Sequence, residues 1–427
     1  MKSIIQPLKG TRDFYPEIMA VRTWLYNTFR QVSESFGYQE YEAPMIESID
    51  LYAAKSGEEL VKEQSFIFPD RSGDKITLRP ELTPSLTRMI AQRQRQLVYP
   101  IRWWSFGPFW RYERPQRGRT REFFQWNIDL IGIDSPEADA ELITILATFF
   151  KTVGFSPKDV NIQVNSRHLL DAELTELGIP KEARGKTSRW IDRQDKMSQV
   201  EWEAYGRDMG IKETQLNAIR LMLGNQDLWK KSSDLVRLFS ALGAMGVSDY
   251  IKFNPSVVRG LDYYTGVVFE AYDVSGEVPR SIMGGGRYNN LLADVGGEPL
   301  PATGFAMGDV VITLLLENKG LIPANIVTSP APVLVTVFDA ERFIKSLEFS
   351  AELRKAGINV SCYPEAVKLP KQFKYADRMG MKIVIVIGPD EAVSDQVTIK
   401  ALASGTQQTV HRKEAIPLIQ DLLNRTS

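Results

Sequence analysis

Apolar residues recur at helical spacing early in the chain. Val21, Trp24, Leu25, Thr28, Phe29, Val32 and Phe36 fall three or four apart, which predicts a helix over 16–36. Pro16 suits its first turn, and Gly37 is placed to stop it. An alternating segment over 38–44 follows, then a helical patch near 48–56, then strands over 64–69 and 75–79 around a turn at 70–73. Pro84 opens a helix predicted to reach about Leu97. Strands near 101–112 and 123–131 flank a polar, arginine-rich loop, the pattern of a hairpin, and a helix over 136–152 comes next.

Between about 165 and 250 the pattern becomes helical in period, charged and poor in strand signals, so this stretch reads as a helical insertion. Strand character resumes over 257–273, continues through SIMGGGRYNN, and ends in a glycine-rich strand feeding a helix over 303–317. The linker LIPANIVTSPAP (321–332) marks the clearest boundary. Beyond it strands alternate with helices over 341–356 and 370–379, and a last helix closes the chain. The expectation is a core over 1–325 and a small α/β domain over 331–427 with a largely parallel or mixed sheet.

Composition narrows the function classes. The net charge of -1, from 52 Lys+Arg against 53 Asp+Glu, argues against a polybasic protein held to nucleic acid by bulk charge, though not against a local basic groove. The single Cys362 excludes an internal disulfide and a cysteine-rich zinc site. With only His168 and His411, a histidine-ligated metal site or a Ser-His-Asp triad is disfavoured, and no metal ligand set is expected. The first residues lack an apolar signal region and no stretch approaches the roughly 20 apolar residues of a membrane span, so a soluble, reduced, cytoplasmic protein without a membrane partner is expected.

The densest candidate chemistry lies in the loop of the predicted hairpin. Five arginines (111, 114, 117, 119 and 121) and Glu113 occupy eleven residues, bounded by the aromatic strands FGPFW and EFFQW. Guanidinium forks match phosphate and carboxylate, and the interleaved Pro and Gly favour a built clamp for polyphosphate or RNA over a solvated charge run. Arg111, Glu113 and Gln125 are placed on its strands. Glu81 and Thr83 could bind an ammonium group, but on the residues alone Thr83 before Pro84 reads as a helix N-cap. The aromatics of Arg259-Gly-Leu-Asp-Tyr-Tyr-Thr265 read either as a polar pocket or as strand core. The glycines of 284–286, 304 and 308 permit close backbone approach, to a flat ligand or to their own sheet. On the helix 371–378, Lys371, Lys374 and Arg378 share one face. That domain holds 13 Lys and Arg against 11 Asp and Glu, so this face is either solvated or an RNA contact.

In this order the motifs resemble class II aminoacyl-tRNA synthetases, specifically the histidyl-tRNA synthetase family. GTRDFYP with its helix, strand and Pro44 is similar to motif 1, RYERPQRGRTREFFQ to motif 2, and GFAMG to the start of motif 3. VVRGLDYYTG is similar to the segment that sets histidyl enzymes apart, and KQFKYADRMG with IVIVIG resembles the anticodon-binding domain. The resemblance implies an α+β fold, an antiparallel-sheet catalytic core with a helical insertion plus a C-terminal α/β anticodon-binding domain. It also implies a homodimer through motif 1. L-histidine, ATP with Mg2+, and tRNA(His) would be the substrates. Glu81, Thr83 and Gln125 would hold the histidine amino group, and Asp129 and Tyr264, with Tyr263 alongside, would read the imidazole. Arg111 and Arg259 would bracket the α-phosphate and the carboxylate as the catalytic pair. Glu113 and Arg119 would lie in the ATP pocket, Gln116 and Arg117 near the tRNA acceptor end, and Lys371, Lys374 and Arg378 in the anticodon domain.

Four features depart from the family pattern. Val311 stands where motif 3 usually carries an arginine for the γ-phosphate, leaving Arg119, Arg121 and Arg287 as possible substitutes. Asp129 replaces a longer Glu, GGGRYNN replaces GGGRYDG, and Tyr112 and Phe124 replace frequent histidines. Two alternatives to the ligase are a silent relative acting as the regulatory subunit of ATP phosphoribosyltransferase and a non-catalytic RNA-binding regulator. The first generally lacks the C-terminal domain that residues 331–427 supply.

Overall fold

The computed structural model describes residues 4–53, 60–194, 197–258, 264–278, 280–326 and 329–425. The chain divides into two compact units, residues 1–13 with 22–323 and residues 14–21 with 324–427. Among the described residues no helix is long and apolar enough to cross a membrane.

The first unit is built on an eight-stranded sheet. Its spatial order is Gln39–Glu40, Ile101–Trp110, Glu122–Ile131, Ala302–Gly308, Met283–Arg287, Val267–Asp273, Val160–Ser166 and Ile251–Phe253. Pairing is antiparallel throughout the middle and parallel only at the two edges. Successive side chains of a strand point to opposite faces. On Glu122–Ile131 this sends Trp126, Ile128 and Leu130 into the main core with the first helix, Pro16–Ser35, and the helix Pro136–Thr152. Phe29 stacks 4.6 Å from Trp126 and lies 5.0 Å from Phe149, contacts worth about 0.5–1.5 kcal/mol each beyond their buried area. The same alternation turns Gln125, Asn127 and Asp129 to the opposite face.

That opposite face carries the chemistry. A second apolar cluster covers one end of it, with Leu86 and Ile90 of the helix Thr83–Arg93 against Tyr264, Val268 and Tyr288. Elsewhere it is open and polar. Register places Gln125 beside Gly308, Asn127 beside Ala306, Gly284 between Ala306 and Glu270, and Glu270 beside Gln163. A small strand group, Ile46–Ser48, Lys75–Leu78 and Phe66–Pro69, lies apart from the large sheet.

The stretch 165–250 contains the helices from Arg167–Glu176 to Ser233–Ala244. Its core is fastened by Trp190 and Trp202, whose rings stack at 4.0 Å while each indole N–H donates to the other residue's carbonyl. In the second unit the strands Val360–Cys362, Val333–Val335 and Ile383–Val386 run parallel, and Gln396–Ala401 and Gln407–His411 extend the sheet antiparallel.

Several expected boundaries shift. The helix from Pro84 ends at Arg93 rather than Leu97. Of the strand expected over 257–273, residues 259–263 lie outside the described residues and Val267–Asp273 forms a strand. Four strands went unforeseen, Val160–Ser166, Ile46–Ser48, Ile251–Phe253 and Gln407–His411. The first is nearly continuous in burial, so it lacks the one-sided alternation that would have marked it.

Candidate active site

A cavity of about 980 Å³ opens on the polar face of the large sheet. Its floor is the row Gln125, Gly308, Ala306, Gly284, Glu270 and Gln163, and its walls include Arg111, Glu113 and Arg119 from the hairpin loop. Arg280, Val310, Val311 and Val257 complete one side. Three guanidiniums and the carboxylates of Glu113, Asp192 and Glu270 thus share one pocket, a polar site suited to an anion and an ammonium together.

The hairpin strands end at Trp110 and Glu122, so Gln125 is on a strand but Arg111 and Glu113 lie just beyond one, not on it as expected. One further bond, from the Arg111 N–H to the Arg121 carbonyl at 2.9 Å, carries the pairing to the pocket edge. Arg111 is aimed by its own side chain, since Nε donates to the Pro80 carbonyl at 2.9 Å and the guanidinium lies over Phe123 at 5.4 Å. Held this way, it leaves the rest of its fork for a ligand. Arg119 pairs with Glu113 at 2.6 Å. The tip closes by reciprocal bonds between Gln116 and Arg119, with Gly118 at φ 78°, the positive value a type II turn demands at its third residue. Gln116 and Arg117 are exposed there.

Glu81 is buried, and Thr83 begins its helix. The N-cap reading of Thr83 is not realised: the cap position is Leu82 and no side chain caps the helix. The loop before it is anchored by Arg79, fully buried, which donates to Glu42, to the Ala43 carbonyl and to the Pro108 carbonyl, and lies over Phe109. Sequence reasoning assigned Arg79 nothing, because an arginine buried as a brace looks like any other in one dimension. Asp309 was also missed. It is buried, pairs with Arg12 at 2.8 Å, and accepts from the Phe124 N–H at 2.8 Å, fixing the third motif against the hairpin.

Asp129 sits on the face of Gln125, two pleats along, and does not line the cavity described. It is fully buried, and Tyr288 donates to its Oδ1 at 2.5 Å. Gly304 opposes it, and a Cβ there would lie 2.2 Å from Oδ1, so only glycine fits. Gly285 and Gly286 likewise abut their own sheet, whereas Gly284 and Gly308 floor the cavity. Burial raises the Asp129 carboxyl to about 7, and the Tyr288 hydrogen bond offsets this only in part. Tyr264 is buried against Gly286 in the cluster that holds Tyr288. Arg259 and Tyr263 lie outside the described residues; of their flanks, Val257 lines the cavity and Tyr264 is in this cluster. In the second unit, Lys371, Lys374 and Arg378 are all exposed on the helix Leu369–Arg378.

The raised Asp129 pKa makes a stability prediction. A carboxyl near 7 when folded and near 3.8 when unfolded favours the folded state below about pH 4 and loses that contribution as pH rises through 7. Ligand-free Asp129→Asn should therefore melt above the parent protein at pH 8, with the gap closing toward pH 4. Thermal melts across that range measure it, and a pH-independent gap would contradict it.

Comparison with known proteins resolves which fold family this is. Residues 10–309 match the family model described as histidyl-tRNA synthetase, and residues 333–422 match the one described as anticodon binding domain. The chain belongs to the histidyl-tRNA synthetase family. Together with its full-length relatives, this makes it an aminoacyl-tRNA ligase. It is 38% identical over 413 residues to the chloroplastic/mitochondrial histidine–tRNA ligase of Arabidopsis thaliana, covering 94% of this chain and 84% of that one. It is 36% identical to the histidine–tRNA ligase of Leptospira biflexa, covering 98% of each. A crystal structure of histidyl-tRNA synthetase from Nostoc sp. superposes with a TM-score of 0.83 at 25% identity, covering 99% of this chain and all of that one. The antiparallel sheet with its hairpin loop over a polar cavity is thus the class II synthetase architecture that the motif order implied.

Proposed function

We propose that this protein activates L-histidine with ATP and transfers it to tRNA(His). One carboxylate oxygen of histidine attacks the α-phosphorus, the bond from that phosphorus to the bridging oxygen breaks, and pyrophosphate leaves. The 3′-terminal ribose hydroxyl of the tRNA then attacks the adenylate carbonyl and releases AMP. No protein base is needed in the first step, because the carboxylate is already ionised at neutral pH. Both reacting groups are anionic, so the task is to align them and spread charge.

The observation that carries this reading is Arg111, braced on Pro80 and Phe123 at the edge of a cavity floored by Gln125 and Glu270. In the proposed arrangement Arg111 meets the α-phosphate and Arg259 the carboxylate side. Glu81, Thr83 and Gln125 hold the ammonium group. Asp129 and Tyr264, with Tyr263, read the imidazole. Glu113 and Arg119 serve the nucleotide, with Mg2+ entering bound to ATP, and Gln116 and Arg117 at the exposed tip meet the acceptor end. Lys371, Lys374 and Arg378 offer an exposed cationic face to the anticodon arm. Exposed Ile4, Ile5, Leu8, Ile46, Ile67 and Phe68, in and beside the motif 1 segment, suit a homodimer interface, and a cytoplasmic location accords with the single cysteine. The alternative regulatory role is disfavoured by the second unit, whose residues 333–422 match the anticodon-binding family.

Pyrophosphate exchange into ATP should depend on histidine and on no other proteinogenic amino acid. A site that hydrogen-bonds both imidazole nitrogens rejects analogues lacking them by about 10⁴-fold or more. A screen of the proteinogenic set decides this, and absence of exchange with histidine would sink the reading.

A further inference from the structure

Val311 leaves the terminal phosphates of ATP without the arginine that the third motif usually supplies, and of the candidates to replace it Arg287 is spoken for. It is buried and locked into Asp139, Asp134 and the carbonyls of Ile133 and Ser135. Arg121 lies over the Tyr112 ring at 4.0 Å and donates to the Glu113 carbonyl. Arg119 is already paired with Glu113.

A different arginine, Arg280, lines the cavity together with Val311. Met283 pairs with Met307 in antiparallel register, so the chain just before Met283 and the helix just after Gly308 emerge at the same end of the sheet. Arg280 and Val311 are thereby neighbours although 31 residues separate them. Both line the cavity, and a Cβ on Gly118 would lie 3.6 Å from Val311 Cγ2 and 3.9 Å from Arg280 Cδ. The hairpin tip, the helix start and Arg280 therefore border one spot. We propose that Arg280 binds the terminal phosphates of ATP in place of the absent third-motif arginine. The inference rests on the reading of this cavity as the ATP site.

The local electrostatics agree. Burial, and then the nearby Arg119 cation, disfavour the charged form of Arg280, with Glu113 opposing them. Two guanidiniums facing one region of a partly buried pocket gain most from an arriving polyanion. Valine at 311 also fits, since it is buried and gives that wall of the cavity an apolar side chain.

The test is equilibrium titration of Mg-ATP and of AMP, without amino acid, on the full-length parent protein and on Arg280→Ala. Losing a charged hydrogen-bonding partner should weaken ATP by about 10- to 100-fold while AMP, which lacks the terminal phosphates, binds as before. In exchange assays the ATP KM should rise with the histidine KM unchanged. Arg280→Gln, closer in volume, gives the same readout should the alanine variant melt early. Equal weakening of ATP and AMP, or ATP binding like that of the parent, would overturn the proposal. A parent protein that binds ATP but shows no histidine-dependent exchange would instead sink the histidine reading, and the ATP-over-AMP comparison would still judge Arg280.

Discussion

Arg111→Ala should lower histidine-dependent pyrophosphate exchange by about 10³-fold, with the fold intact. An arginine that meets developing phosphoryl charge is worth roughly 10³–10⁵ in rate, and a single preorganised donor about 10²–10³. Arg111 falls at the overlap because its aim is prepaid: Nε is held by the Pro80 carbonyl and the fork lies over Phe123 before any ligand arrives. The loss should appear mainly in kcat, since the interaction strengthens as the α-phosphorus is attacked. Arg111→Lys should recover little of it, because an ammonium can neither stack on Phe123 as a plane nor divide its donors between Pro80 and a phosphate. The side chain is only partly buried, so circular dichroism and melting of both variants should match the parent. Exchange near the parent rate in Arg111→Ala would remove this residue from the chemistry.

Arg287→Ala should destabilise the first unit by about 3–5 kcal/mol, the usual result of removing one partner from a buried ion pair. Arg287 and Asp139 have side chains 5% and 2% exposed and meet through contacts of 3.1 and 3.0 Å. The same guanidinium satisfies the carbonyls of Ile133 at 3.0 Å and Ser135 at 2.8 Å. Those residues lead into the helix Pro136–Thr152, whose N-cap is Ser135, so one arginine clips a central strand to the start of the core helix. Without it a buried carboxylate and two carbonyls lose their donors. Chemical denaturation of Arg287→Ala gives the magnitude. Pairing Arg287→Met with Asp139→Leu should recover much of the loss, because an apolar pair of similar volume leaves no orphaned charge. A loss below about 1 kcal/mol in the single variant, the range of a surface pair, would show that the clip does not hold the unit together.

Much of this fold can be read in one dimension. The helix Pro16–Ser35 follows from spacing of three and four between apolar residues, and the hairpin from aromatic alternation around a loop rich in Pro, Gly and Arg. The mixed sheet of the second unit follows from strand–helix alternation after a Pro-rich linker. Misplaced features share a cause. Val160–Ser166 is covered on both faces, so its pattern carries no alternation, and the capping of Thr83–Arg93 depends on how the Arg79 brace docks the preceding loop. Local propensity has no access to either.

The sequence alone determined the family, through the order of its motifs, and located the arginine-rich hairpin that borders the cavity. What only the tertiary structure decided is the division of labour among identical side chains. Arg79 and Arg287 are buried braces, Arg119 is paired at the pocket, and Arg111 and Arg280 line it. A guanidinium's role depends on how much water reaches it and which carbonyls and carboxylates surround it. Many of those neighbours lie far away along the chain and are brought close by strand register and loop docking.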